Sequence, residues 1–217
     1  MPRAAFFDMD RTLVRKNTAQ LYVRYQRMIG EAGPRETLRA LWWVLQYTVG
    51  VVDAESVAGK AISELQGFAE RDFQARCEIW FRDMVAMHVT EKARDAVRRH
   101  VDDGDVCAIV TGATRYPADP LSRLLDIPHV LASELEKDVH GRFTGRFIRP
   151  LCYGAGKIAR SEALAQAHGM SLDDAIFYSD SISDLPLLER VREPVVINPD
   201  PRLRRIARAR KWRIETW

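Results

Sequence analysis

The sequence has few cysteines and histidines, and neither type forms a pattern that indicates disulfides or zinc. Its three cysteines, Cys77, Cys107 and Cys152, are widely separated and include no Cys-x-x-Cys pair, which favours free thiols in a reducing compartment. The five histidines are equally scattered and include no His-Glu-x-x-His pattern. A zinc enzyme and a histidine-based triad are therefore not supported.

The sequence also lacks an apolar run long enough to cross a membrane. Residues 40–52 form an uncharged stretch of 13 residues, shorter than the roughly 20 that a transmembrane helix needs. A buried helix is the favoured interpretation, although the adjacent Trp42 and Trp43 leave peripheral membrane contact as an alternative. No signal peptide is visible, because an apolar strand is predicted almost at Met1. We therefore predict a cytoplasmic protein without a transmembrane segment.

The chain of 217 residues has a balanced composition, with 47% hydrophobic residues and a net charge of +3. It can form one domain, or one domain with an insert. Seven basic residues lie between positions 202 and 213, and such a cluster can contact nucleic-acid phosphates. However, Leu203, Ile206 and Ala207 give this segment an apolar helical stripe. We favour a solvated helix face and predict no nucleic-acid partner.

The pattern of apolar residues differs between two parts of the chain. Residues 15–88 carry apolar positions at helical spacing and no convincing alternating strand. After residue 90, short apolar strands alternate with helices, an order typical of a parallel, doubly wound sheet. The predicted strands and hairpin lie at residues 106–111, 129–132, 142–148, 175–179 and 195–198, after a first strand that ends at Asp8. We predict an α/β fold with a Rossmann-like sheet, whose core (1–14 and 89–217) is interrupted by an all-helical cap (15–88).

Asp8 and Asp10 directly follow the first strand, in the run Ala-Ala-Phe-Phe-Asp-Met-Asp-Arg-Thr-Leu-Val at residues 4–14. Catalytic and ligand groups of parallel sheets lie at the carboxyl ends of strands. Two close carboxylates repel each other unless a cation neutralises them. Oxygen ligands without nearby His or Cys favour Mg²⁺. The alternative is a solvated turn, or a helix N-cap made by Asp10 or Thr12.

Two candidate anion-binding groups come later in the chain. Thr111 and Gly112 close the strand at 106–110, where a hydroxyl and free backbone N–H groups suit phosphate oxygens. Lys157 opens a helix in the run Gly-Ala-Gly-Lys at 154–157. The glycines would let the backbone approach an anion, and the ammonium would add charge. A solvated helix start is the equal alternative for this lysine.

Two more acids, Asp180 and Asp184, follow the strand at 175–179. Asp180 would lie beside Asp8 if the two strands are neighbours, which would complete an oxygen-rich cation site. Asp184 could hold a metal-bound water or the amino group of Lys157. Its alternative role is a carboxylate at a helix N-terminus, where the helix dipole favours it.

The order of these groups is more specific than any one of them. Asp-x-Asp-x-Thr at 8–12, a Thr after the next core strand, a Gly-flanked Lys and Asp-x-x-x-Asp at 180–184 resemble the haloacid dehalogenase superfamily of phosphatases. The resemblance spans the whole chain. The predicted helical cap and the run Ser-Asp-Ser-Ile-Ser-Asp-Leu-Pro-Leu-Leu-Glu at 179–189 are similar to subfamily IB, which contains phosphoserine phosphatase.

This resemblance implies a mechanism and a set of ligands. Asp8 would attack phosphorus and form an aspartyl-phosphate, while Asp10 would act as general acid and then as general base. Mg²⁺ would be held by Asp8, by the backbone carbonyl of Asp10 and by Asp180, with Asp184 supporting the metal shell. The groups that would hold the phosphoryl oxygens are Thr111, Gly112 and Lys157.

Departures from the phosphoserine phosphatase pattern bear on the substrate. Those enzymes usually carry Ser-Gly-Gly where this chain has Thr-Gly-Ala at 111–113, and an Asn where it has Ser183. They place a substrate-binding Glu nine residues after the nucleophile, where this chain has Asn17. A neutral amide cannot pair with an ammonium as a carboxylate does. We predict a small soluble phosphomonoester as substrate, with phosphoserine and a lipid phosphate as alternatives.

Overall fold

The computed structural model describes residues 2–33, 59 and 62–217. Its framework is a seven-stranded sheet. The strands are β1 (Ala4–Phe7), β2 (Val106–Thr114), β3 (His129–Lys137), β4 (Phe143–Ile148), β5 (Ile176–Ser179), β6 (Glu193–Ile197) and β7 (Arg213–Glu215). Their order across the sheet is β4-β3-β2-β1-β5-β6-β7, and all neighbours are parallel except β3 and β4.

Helices connect the parallel strands. In the described ranges they are α1 (Thr18–Met28), α2 (Glu70–Trp80), α3 (Glu91–Asp102), α4 (Arg115–Leu125), α5 (Gly156–Ala167), α6 (Leu185–Leu188) and α7 (Pro201–Ala209). A π-helical turn follows α2, and single 3₁₀ turns precede α3, β5 and α6. None of the described helices is long and apolar enough to cross a membrane.

The first strand lies at the centre of the sheet and of the core. All four residues of β1 are buried, and Phe7 is in register with Ile109 of β2 and Tyr178 of β5. Ala5 and Phe7 belong to the apolar cluster on one face of the sheet, while Ala4 and Phe6 belong to the cluster on the other face. Because both faces are covered, β1 is apolar throughout rather than alternating. The chain order reverses beside β1, where such sheets place their ligand crevice.

The predicted order of elements agrees with the sheet, but several boundaries differ. Strands β2 and β3 extend well beyond the predicted 106–111 and 129–132, because they continue to pair past an irregularity between Val110 and Thr114. The far end of β3 also pairs antiparallel with β4, which is the predicted small hairpin. The stripe of the basic C-terminal segment is also present, since Leu203 and Ala207 are fully buried on α7.

The described part of residues 15–88 is helical and packs through aromatic side chains. Tyr22 of α1 meets Trp80 of α2 with ring centroids 5.2 Å apart, and Phe73 of α2 meets Tyr116 of α4 at 5.0 Å. Two strand-like contacts close the base of the segment: Val14 pairs antiparallel with Val89, and Arg15 N donates to His88 O at 2.9 Å.

The division into a core (1–14 and 89–217) and a cap (15–88) stays a prediction. Residues 34–58 of the segment lie outside the described residues, as do the apolar stretch at 40–52 and its Trp42-Trp43 pair. The two chain crossings near residues 14–15 and 88–89 are adjacent, which is the connection that an inserted unit requires.

A buried polar network joins α3 to the sheet away from the crevice. His100 Nδ1 lies 2.6 Å from Asp105 Oδ2, and His100 Nε2 lies 2.8 Å from the Tyr178 hydroxyl. Burial lowers the pKa of His100 despite the nearby Asp105 carboxylate, so the imidazole is neutral at pH 7. The neutral ring then donates from Nδ1 to the carboxylate, and Nε2 accepts from Tyr178. Arg213 donates to the same hydroxyl at 3.2 Å.

We expect Tyr178→Phe to lower the free energy of unfolding by about 1–3 kcal/mol, because it leaves His100 Nε2 buried without a donor. Tyr25→Phe is the matched control: Tyr25 is also buried, but its hydroxyl makes no hydrogen bond to any described residue. Urea unfolding of both variants measures the difference. Equal stabilities would contradict the importance of this network.

Candidate active site

A cavity of about 300 Å³ opens where β1, β2 and β5 end. Every site residue predicted from the sequence lines it: Asp8, Asp10, Thr111, Gly112, Lys157, Asp180 and Asp184. Asn17, which marked a departure from the phosphoserine phosphatase pattern, lines it as well. The structure adds lining residues that the sequence did not indicate, above all Arg11, Tyr153, Asp200 and Arg202. The cavity therefore gathers groups from five separate stretches of the chain.

Lys157 is the buried centre of the site. Its Nζ donates to Asp8 Oδ1 and to Asp184 Oδ2, each at 2.7 Å, and the lysine side chain is only 2% exposed. Asp184 Oδ2 also accepts from Ser179 Oγ at 2.7 Å, whereas its buried Oδ1 has no partner among the described residues. Two of the roles considered for Asp184 are seen in its position: it contacts the amino group of Lys157, and it lies at the N-terminus of α6 without a side-chain cap bond.

The cavity encloses more carboxyl groups than ammonium groups, and the pKa values of these groups are shifted. Burial raises the pKa of Asp8 to about 7; Lys157 acts against this rise and Asp184 adds to it. Burial and the charges of Asp8 and Asp184 also raise the pKa of Asp180 well above its ordinary value. Burial alone would lower the pKa of Lys157, but the two carboxylates raise it. The lysine is thus always charged, and the acids compete for it.

Asp10 lies at the edge of the cavity, under the start of α1. Its Oδ1 accepts from Thr18 N at 2.7 Å, while the N-cap of α1 is Asn17, whose Oδ1 accepts from Gln20 N at 3.1 Å. Asp10 therefore satisfies one helix N–H without being the cap residue. Thr12 caps nothing, because its buried Oγ1 has no partner among the described residues. Burial raises the pKa of Asp10, and the bond from Thr18 opposes the rise.

Ser133 on β3 fixes the Thr111–Gly112 turn to the segment that leads into α5. Its hydroxyl donates to Gly112 O at 3.0 Å and accepts from Cys152 N at 3.1 Å. Within the turn, Thr111 Oγ1 accepts from Ala113 N at 3.1 Å. A single buried hydroxyl thus holds together two parts of the cavity wall. No local sequence pattern indicates this role, because Ser133 resembles any other serine in a strand.

Gly156, the residue before Lys157, packs directly against the preceding loop. A Cβ at this position would lie 2.0 Å from the backbone oxygen of Leu151, a distance that no side chain can occupy. Packing therefore requires a glycine at position 156, and the approach of this backbone to an anion stays a prediction. Close packing of the preceding loop against this glycine sets where α5 begins, and hence where Lys157 points.

Asp200 connects α7 to the loop that carries Asp180 and Asp184. Its Oδ2 accepts from Ile182 N at 2.6 Å, and its backbone N donates to Asp180 O at 2.9 Å. Its Oδ1 caps α7 by accepting from the first-turn N–H groups of Arg202 and Leu203. A sequence reader could have noticed Asp200-Pro201 as a helix start. Its second bond, to the acidic loop, is visible only in the fold.

The acids of the cavity are suited to a hard cation. The Asp180 carboxylate accepts no hydrogen bond from a described residue, and Asp184 Oδ1 is a buried oxygen without a partner. In the described ranges, no three His, Cys, Asp or Glu side chains already converge on one point. The ammonium of Lys157 contacts both Asp8 and Asp184. The candidate metal ligands are all oxygen atoms, which Mg²⁺ prefers. The residues therefore fit this ion.

A family model of haloacid dehalogenase-like hydrolases matches residues 5–189. The chain belongs to the haloacid dehalogenase-like hydrolase family. The predictions of this family, of an α/β fold with a Rossmann-like sheet and of a hydrolytic enzyme are confirmed. The matched range begins in β1 and ends after α6, so it contains every predicted site residue.

Similar proteins of this family carry phosphatase names. The chain is 31% identical over 215 residues to phosphoserine phosphatase SerB1 of Mycobacterium tuberculosis, which covers 97% of this chain and 70% of that protein. It is 26% identical over 217 residues to a histidinol-phosphatase of Neisseria meningitidis serogroup C, and this match covers 98% of this chain and 97% of that protein. The two names refer to different phosphomonoesters.

Solved structures have the same fold. A Bordetella pertussis protein of unknown function is 33% identical with a TM-score of 0.89, over 99% of this chain and 98% of that one. A substrate-bound phosphoserine phosphatase superposes with a TM-score of 0.74 at 18% identity, over 100% of this chain and 93% of that one. At that identity the likeness shows the fold alone.

We expect Gly156→Ala to destabilise the hydrolase by about 1–3 kcal/mol or more, because the new Cβ must displace the Leu151 carbonyl. Helix propensity alone would favour alanine by about 1 kcal/mol, so the expected sign is opposite. Gly59→Ala is the control, since Gly59 is helical and a Cβ there meets nothing within 4 Å. Urea unfolding compares the two; a Gly156→Ala protein as stable as the control would contradict this packing argument.

Proposed function

We propose that this hydrolase is an Mg²⁺-dependent phosphomonoesterase that acts on a small phosphorylated metabolite through an aspartyl-phosphate. The observation that carries the proposal is the pair Asp8 and Asp10 at the end of β1. Asp8 is buried and hydrogen-bonded to Lys157 at 2.7 Å, and Asp10 lies two residues further in the same cavity. The phosphatase names of its relatives give independent support.

Asp8 acts as nucleophile. One of its carboxylate oxygens attacks phosphorus, the P–O bond to the leaving group breaks, and Asp10 donates a proton to the leaving oxygen. Water then attacks the phosphorus of the aspartyl-phosphate, Asp10 takes a proton from that water, and inorganic phosphate and free Asp8 result. Burial raises the pKa of Asp10, which favours the protonated form that the first step needs.

The surrounding groups stabilise charge. Lys157 keeps Asp8 oriented, and it would also attract the phosphoryl oxygens together with the Thr111 hydroxyl and the backbone of Gly112. The Ser133 hydroxyl fixes this backbone to the segment before Lys157, so the two anion-binding elements keep a constant spacing. Pre-positioned donors of this kind need no rearrangement as charge develops.

The residues that would hold Mg²⁺ are Asp8, the carbonyl of Asp10, Asp180 and, in support, Asp184. When bound, the ion would neutralise the clustered carboxylates and draw electron density from a phosphoryl oxygen. Asp200 would keep the two later ligands in place, because it is bonded to the backbone of Asp180 and of Ile182.

The substrate is proposed to be small and soluble. Asn17 lines the cavity as a neutral amide that is already engaged as the cap of α1, so it offers no charge to a substrate ammonium. Phosphoserine and histidinol phosphate, suggested by the names of two relatives, are the first compounds to test. A lipid phosphate is the remaining alternative.

The proposed cap at residues 15–88 would close over the leaving group and exclude water. The three buried free cysteines support a cytoplasmic location.

We expect Asp8→Asn to fold normally and to lose phosphatase activity by on the order of 10³-fold or more, because an amide oxygen cannot form the phosphoenzyme. A panel of amino-acid, sugar, nucleotide and lipid monophosphates is assayed with Mg²⁺, and thermal unfolding checks the fold. Asp173→Asn, at an exposed position of the turn before β5, is the control. An Asp8→Asn protein that keeps a substantial fraction of the wild-type rate would rule out covalent catalysis by Asp8.

We expect Asp180→Asn to remove the response of the protein to Mg²⁺. The pKa of Asp180 is raised, so the stability that this group contributes is present below pH about 4 and is lost as the pH rises. Without metal, the variant should therefore have a higher Tm than the wild type at pH 8 and a similar Tm near pH 4.

At pH 8, Mg²⁺ should raise the Tm of the wild type, because binding to the folded state stabilises it. The same addition should have little effect on Asp180→Asn, whose activity should need much more Mg²⁺ or vanish. A full wild-type Tm increase in the variant would show that Asp180 is not a metal ligand. Activity that persists after exhaustive chelation would show that the enzyme needs no metal.

A further inference from the structure

Two arginines line the cavity without a part in the proposed chemistry. They are Arg11, directly after Asp10, and Arg202, in the first turn of α7. Neither side chain makes a hydrogen bond or an ion pair with a described residue; only their backbone groups do. Near α7, Arg210 is paired with Glu189 and Arg213 with Glu193, whereas Arg205 and Arg208 have no side-chain partner among the described residues. Arg11 and Arg202 differ from those two because they line the cavity.

Arg11 keeps its position at a backbone cost. Its φ is +58°, in the left-handed region where a side chain costs roughly 1–2 kcal/mol and glycine costs nothing. An unusual conformation of this kind at a cavity wall points to a function of the side chain. The position places a cation near the carboxylates of Asp10 and Asp180, whose raised pKa values the charge of Arg11 opposes.

Arg202 is positioned by Asp200, and the nearby Asn198 contacts the segment of Arg11. Asp200 Oδ1 accepts from Arg202 N at 2.8 Å, and Asn198 Nδ2 lies 3.5 Å from the carbonyl oxygen of Arg11. The segments that carry the two arginines are therefore neighbours. The Asp200 carboxylate forms no ion pair with either guanidinium group; its oxygens accept three backbone N–H bonds, from Ile182, Arg202 and Leu203.

The phosphoryl group of a substrate does not need these arginines. Lys157, Thr111 and Gly112 are the anion-binding groups at the nucleophile, and the lysine is already shared between Asp8 and Asp184. A second anion on the same substrate would find the guanidinium groups of Arg11 and Arg202 in the cavity wall without a hydrogen bond or ion pair to a described residue. Guanidinium groups suit such an anion, since they bind carboxylate and phosphate oxygens through two parallel N–H bonds.

We propose that Arg11 and Arg202 form a subsite for a second anionic group, a carboxylate or a second phosphate, on the leaving group of the substrate. This inference rests on the proposed phosphomonoesterase function and narrows its substrate class. It favours a doubly anionic compound such as phosphoserine over histidinol phosphate, whose leaving group carries no anion.

The test uses two matched pairs of phosphomonoesters. Phosphoserine and phosphoethanolamine share the phosphate ester and the ammonium and differ by one carboxylate; a sugar bisphosphate and its monophosphate differ by one phosphate. We expect the wild type to prefer the doubly anionic member of at least one pair by tenfold or more in kcat/KM. The pair that shows the preference identifies the second anion as carboxylate or phosphate.

The variants are Arg11→Gly, which also relieves the positive φ, and Arg202→Ala, with Arg205→Ala as control. Arg205 is exposed on α7 and does not line the cavity. We expect each subsite variant to reduce the preference at least fivefold, and the control to keep it. Calorimetry should show the same preference when these compounds bind to Asp8→Asn, which cannot turn them over. The preference should be lost when Arg11→Gly is added to Asp8→Asn.

Each outcome decides a separate claim. A wild type that hydrolyses both members of both pairs equally well overturns the subsite and leaves the phosphomonoesterase function standing. Equal losses on both members in the variants overturn it as well, because they indicate a general effect on the site. A wild type that hydrolyses no phosphomonoester with Mg²⁺ overturns the proposed function, and the subsite falls with it.

Discussion

The site depends on one buried cation, the ammonium of Lys157, which is shared between Asp8 and Asp184. Buried charges are costly to desolvate, and removing one partner of a buried pair typically costs about 3–5 kcal/mol. The three residues come from the end of β1, the start of α5 and the loop after β5. The pairing therefore fixes three elements relative to one another at the point where the chemistry is proposed.

Hydrogen bonds from two serines and one aspartate hold the residues around Lys157 in position. Ser179 holds the same oxygen of Asp184 that Lys157 contacts, and Ser133 and Asp200 each connect one wall of the cavity to another. The hydrogen bond of Ser179 joins the end of β5 to the loop that follows it, whereas the bonds of Ser133 and Asp200 join segments that are distant in the sequence. The arrangement resembles other pre-organised sites, in which supporting hydrogen bonds hold the reacting groups in place before substrate arrives.

The site is also a place where stability is given up. Asp8, Asp10 and Asp180 have raised pKa values because they are buried, and nearby acids raise the pKa of Asp8 and Asp180 further. Arg11 adopts a positive φ beside them. A fold optimised for stability alone would neutralise or remove such groups. Their presence together, at the carboxyl end of a parallel sheet, is itself an argument for function.

The sequence by itself determined the α/β class, the order of elements along the chain and the acids and the lysine that line the cavity. Asp8, Asp180 and Lys157 were recognisable because each directly follows an apolar strand or opens a helix, and local pattern carries that information. Ser133, Asp200 and the pair Arg11–Arg202 were not recognisable in this way, since their partners lie far away in sequence or across the sheet. The packing of the Leu151 carbonyl against Gly156 had no signal in the local sequence either. Which residues meet across the cavity was decided only by the tertiary structure, because the register of parallel strands and the packing of loops arise from contacts that no local pattern encodes.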